Sequence, residues 1–110
     1  MTAADFRRLA LALPEATEGS HMGHADFRVR NKIFATLNED ETLGMVKLNP
    51  EQQHEQVQAC PKMFVPVKGG WGLRGATHVM LPAAKEPVVR QALATAWRNT
   101  APKSLAAKLP

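Results

Sequence analysis

The residues best suited to chemistry lie in one stretch, Lys68-Gly69-Gly70-Trp71-Gly72-Leu73-Arg74-Gly75. It combines two cations, one aromatic and four glycines. Glycine lets a backbone approach a phosphate closely, the cations neutralise it, and an indole face can stack on an unpaired base. Such stacking is worth about 1–3 kcal/mol per base. A second basic group, Arg28, Arg30 and Lys32, falls around a short polar break between two apolar runs. Two basic projections of this kind could straddle a nucleic-acid backbone. The plainer reading is that Trp71 folds back over a sheet edge and the glycines merely permit it. The stretch lacks the glycine–lysine–hydroxyl ending of a P-loop.

His21-Met22-Gly23-His24, with His54 and His78, raises the question of a metal. Two histidines three apart need a third ligand and an organised outer shell. On a strand they point to opposite faces, so His21 and His24 converge only across a turn. There is no H-E-x-x-H pattern, and Cys60 has no partner at a metal-ligand spacing. The expectation is no metal and no cofactor. His21, His24 and His78 support an alternative to nucleic acid, a pocket for a protein tail or small metabolite. Cys60 sits at a helix end before Pro61, with His54 about 9 Å away along the axis by helical rise. No nucleophile–base pair can be assembled from spacing, so a non-enzymatic binding protein is expected.

These groups sit in a chain of 110 residues, 45% hydrophobic, the length of one domain, residues 1–110. Its single cysteine excludes an internal disulfide framework and a four-cysteine zinc site. No apolar run approaches the roughly 18 residues of a membrane span, and the opening residues do not form a secretory signal. A cytoplasmic monomer is the expectation, with no membrane partner. The net charge of +4 is unevenly placed. Residues 1–55 carry six Lys/Arg against nine Asp/Glu, and residues 56–110 carry eight against one. That asymmetry points to DNA or another polyanion as partner, unless the halves interleave in the fold.

The elements that must position these residues are legible as patterns. Thr2-Ala3-Ala4-Asp5 reads as a capping box opening a helix over 3–13, with Phe6, Leu9, Ala10 and Leu13 on one face and Pro14 ending it. Period-two runs then predict strands at 17–21, 26–30, 33–37 and 42–48, joined as an antiparallel meander. Asn49-Pro50-Glu51-Gln52 caps a polar surface helix running to Ala59. Strands are predicted at 63–67 and 77–81, with 68–75 a loop between them. Pro87 opens a closing helix bearing Val89, Leu93, Ala96 and Trp97, and residues 101–110 read as a short extra turn or a loosely ordered tail. Helices on one face of an antiparallel sheet, an α+β domain, follow from this order.

Several pieces in this order resemble the MmcQ/YjbR family of small bacterial proteins. They are Leu13-Pro14-Glu15, Glu18-Gly19-Ser20-His21, Asp26-Phe27-Arg28-Val29, Lys32-Ile33-Phe34-Ala35, Lys47-Leu48-Asn49-Pro50-Glu51, Val79-Met80-Leu81 and Ala96-Trp97. The resemblance implies an α+β fold similar to the frataxin/CyaY class and hairpins described as a double-wing DNA-binding motif. Many members carry Trp where this chain has Ala76; here the Trp comes earlier, as Trp71.

Overall fold

In the computed structural model, which describes residues 1–109, the first helix α1 spans Ala3–Leu11. Thr2 Oγ1 accepts from the Asp5 N–H at 3.1 Å, and Asp5 Oδ2 accepts from the Thr2 N–H at 3.0 Å. This reciprocal box pairs donors that a helix start leaves open. The helix stops two residues before the predicted end, because Leu13 precedes a proline and leaves helical geometry.

Four strands follow as the expected meander: β1 Ala16–His21, β2 His24–Val29, β3 Lys32–Leu37 and β4 Leu43–Lys47. Two-residue turns close the first two hairpins. Met22 and Gly23 have φ of 50° and 82°, and Arg30 and Asn31 have φ of 51° and 66°. Positive φ at both central residues matches the right-handed twist of paired strands. The β2–β3 register shifts beside Phe27, which pairs with Ala35 while Arg28 pairs with Ile33. Phe34 is the extra residue, and this bulge buries both Phe34 and Ala35.

Helix α2, Pro50–Ala59, begins on an Asn49/Gln52 box with bonds of 2.8 and 2.9 Å. Two more strands complete the sheet, β5 Phe64–Pro66 and β6 Ala76–Met80, and α4, Glu86–Thr100, packs across it. Between the last two strands the predicted loop contains a one-turn helix, α3, Gly70–Leu73. Residues 103–106 form α5, Lys103–Ala106, and its Leu105 is buried in the core. Pro110 lies outside the described residues.

The sheet order is β1-β2-β3-β4-β6-β5, with every pairing antiparallel. Phe6 and Leu9 of α1 and Val89, Leu93 and Trp97 of α4 are buried with Phe27, Val29, Val46 and Val79 of the sheet. Each fully buried side chain of this size contributes about 1.5–3 kcal/mol. The Phe6 ring stands over Gly44, where a Cβ would come within 2.8 Å of Phe6 Cε1. Trp97 Nε1 donates to Pro14 O at 3.0 Å, tying the closing helix to the α1–β1 junction. Among the described residues, no helix is long and apolar enough to cross a membrane.

Candidate functional site: the open sheet face

Strand alternation sends Phe27, Val29, Val46, Thr77 and Val79 to the helix side and their neighbours to the other. The register therefore lines up Gly19, Asp26, Thr36, Met45, His78 and Val65 across the opposite face. A sheet face with no helix on it ordinarily reads as polar. This one carries Ile33, Met45, Val65 and Ala76, and it is concave. A groove of about 390 Å³ runs from Trp71 over Lys47, Ala76, Met45, Thr36, Ile33 and His78 to His21. It continues into a cavity of about 250 Å³ lined also by His24, Asp26 and Asn38. His78 Nδ1 is buried with no hydrogen-bond partner.

Helix α3 sets Trp71 at one end of the groove. Gly72 is buried so tightly that a Cβ there would fall 1.6 Å from Val67 O. Gly75 has φ of 114° and presses on the Leu48–Asn49 backbone, where a Cβ would meet Leu48 O at 2.1 Å. Gln53 of α2 donates from one Nε2 to Gly72 O at 3.0 Å and to Ala76 O at 2.9 Å. The segment is thus pinned from below and presents its side chains outward. Trp71 is 61% exposed, and what it covers is the sheet face at Lys47 and Ala76. Lys47 Nζ and Arg74 Cζ each lie 5.7 Å from its ring centroid. Cations at that distance are attracted by the negative ring face. Among the described residues, no carboxylate pairs with Lys47, Lys68 or Arg74.

The other basic hairpin is arranged differently. Arg28 lies on the open face but binds Asp26 through both Nε and Nη2, at 2.7 and 3.0 Å. That guanidinium holds the Asp26 carboxyl below the usual carboxylate range. Arg30, in the turn, makes a two-point pair with Glu15 at 2.6 and 3.0 Å, which lowers the Glu15 pKa. Lys32 is exposed opposite Val29 at the start of β3. The structure therefore brings Arg28, Trp71 and Lys47 to one face, with Arg74 beside Trp71, and leaves Arg30 and Lys32 at the hairpin turn.

His21 and His24 stand opposite each other because the predicted condition, an intervening turn, is met. Among the described residues there is no cluster of three or more His, Cys, Asp or Glu side chains fit to hold a metal. Cys60 is an unpaired, half-buried thiol at the end of α2. Sequence reasoning missed Lys47, Met45, Thr36 and Ile33 as site residues. The available signal was that apolar residues occupy both parities of β3 and β4, which marks a sheet with something to cover on each face.

An antiparallel six-stranded sheet, packed with helices on one side and grooved on the other, makes this an open-faced α+β domain. The YjbR family pattern matches residues 11–99, and the chain belongs to that family. The fold is similar to that of a solved Deinococcus radiodurans protein with a DUF419 domain, at a TM-score of 0.74 and 19% identity over 89% of this chain and 77% of that one. No curated protein matches the sequence.

Proposed function

We propose that this protein is a non-enzymatic nucleic-acid-binding module whose contact surface is the Trp71 end of the open sheet face. The carrying observation is Trp71 itself, 61% exposed, with two cations 5.7 Å from its ring. A large aromatic held in water on a pinned helical turn suits stacking on a base, and the cations around it suit phosphate. Lys47, Lys68 and Arg74 supply the charge. Arg28 and Arg30 are engaged by Asp26 and Glu15, so they contribute to the field but not as the first contacts. Lys32 adds charge at the hairpin tip.

The charge asymmetry along the chain supports the same reading. Five of the nine acids of the first half lie in ion pairs: Asp5 with Arg8, Glu15 with Arg30, Glu18 and Glu41 with Arg7, and Asp26 with Arg28. The lysines of the second half keep their charge for a partner. The apolar floor of the groove favours a second reading, a module for a small ligand without nucleic acid. A titration of a fluorescently labelled short oligonucleotide separates them. The nucleic-acid reading predicts binding at low salt that weakens steeply as salt rises. Absence of binding, or affinity indifferent to salt, leaves the small-ligand reading.

A further inference from the structure

We propose that the groove beside Trp71 is a nucleobase pocket, so that the site takes unpaired nucleotides rather than duplex. The inference rests on the nucleic-acid reading above and specifies its partner as a single strand. Trp71 can stack only on a base whose face is exposed, and bases inside a duplex have both faces covered. The groove begins at Trp71 and shares Trp71, Lys47 and Ala76 with a smaller hollow that Arg74 also lines. Its volume of about 390 Å³ has room for the base that follows the stacked one. Ligand pockets commonly begin near 300 Å³, roughly this size. Ile33 and Met45 meet the apolar faces of that base, while Thr36 and His78 offer polar atoms to its edge. His78 lines the groove, and its Nδ1 is buried without a hydrogen-bond partner. Charge fixes the direction of entry. The Trp71 end carries Lys47 and Arg74. At the far end, Glu39 approaches the Gly23 turn.

The test compares an oligothymidylate, the same strand in duplex with oligodeoxyadenylate, and the strand with alternate bases removed. The abasic strand keeps its phosphates and requires no protein variant. Expected is single-strand affinity about tenfold above duplex, with the abasic strand losing a similar factor. Thr36→Phe, on the solvent side of the sheet, fills the groove. It lowers single-strand affinity about tenfold, leaves duplex affinity unchanged, and keeps the far-ultraviolet circular dichroism of the parent. Equal binding of all three nucleic acids, unaltered by Thr36→Phe, overturns the base pocket and leaves the Trp71 surface standing. Failure of every nucleic acid to bind at low salt overturns both.

Discussion

The Arg28 guanidinium closes on the carboxylate of Asp26, two residues earlier on the same strand, through two bonds of 2.7 and 3.0 Å. The Asp26 side chain is 1% exposed, so this pair is structural before it is anything else. Arg28→Ala leaves a buried carboxylate without its partner and is expected to lower the midpoint of urea unfolding. The pair also sets an acid limit. Because Arg28 lowers the Asp26 pKa in the fold, its stabilisation is complete above the ordinary carboxyl range of about pH 4. It is lost as pH falls through the depressed folded-state value. Asp26→Asn removes that part of the acid sensitivity, and unfolding midpoints followed from neutral to acid pH check it.

Trp71 is expected to separate binding from stability. Its side chain contributes little to the core, so Trp71→Ala leaves the thermal midpoint close to that of the parent. The same substitution reduces single-strand affinity by about 1–3 kcal/mol of stacking. Trp71→Phe retains part of it. A loss of fold stability equal to the loss of binding would contradict a role at the surface.

Lys47, Lys68 and Arg74 predict the salt dependence. Each phosphate neutralised on a single strand contributes a slope of about −0.7 to log K against log salt. Three contacts give about −2, and Lys47→Ala or Arg74→Ala flattens the slope by about one contact's worth. Arg30→Ala, which frees Glu15, leaves the slope nearly unaltered. Anisotropy titrations over a range of salt concentrations read both.

Gly70 and Gly72, two residues apart, are expected to respond in opposite ways. A Cβ on Gly70 meets nothing within 4 Å, whereas one on Gly72 falls 1.6 Å from Val67 O. Gly70→Ala is tolerated. Gly72→Ala forces α3 off the Val67 backbone that follows β5 and breaks the Gln53 bond to Gly72 O, moving Trp71 and abolishing binding. The indole N–H resonance of Trp71 and oligonucleotide affinity report the two outcomes.

The elements were legible where local chemistry alone decides them. Thr2/Asp5, Asn49/Gln52 and Pro87 mark helix starts through caps and a fixed φ, and alternation marks β2 to β4. The β2–β3 bulge was not, since a run of Ile33, Phe34, Ala35 and Thr36 does not announce which neighbours share a face. Helix α3 escaped as well. Its turn is held by Gln53 of a distant helix and by backbone contact at Gly72, neither of which is a propensity. Trp71 was recognisable as a candidate from composition. Its companion Lys47 was not, because only the β4–β6 register puts Lys47 opposite Ala76 and beneath the Trp71 ring. Arg28 and Arg30 read as wing cations in sequence; Asp26, two residues before Arg28 on β2, shares its face by alternation alone, whereas Glu15 reaches Arg30 only through the β1–β2 pairing.

The two tryptophans provide the most direct test that the Trp71 face binds single-stranded nucleic acid. Trp97 is fully buried with its Nε1 bonded to Pro14 O, and Trp71 is exposed, so their indole N–H signals report core and surface separately. Titration with a short oligothymidylate at low salt, followed by proton–nitrogen correlation spectra, is predicted to shift the Trp71 signal in a saturable way. The Trp97 signal stays in place. A Trp71 indole signal that does not move while the strand is added to excess would contradict the account.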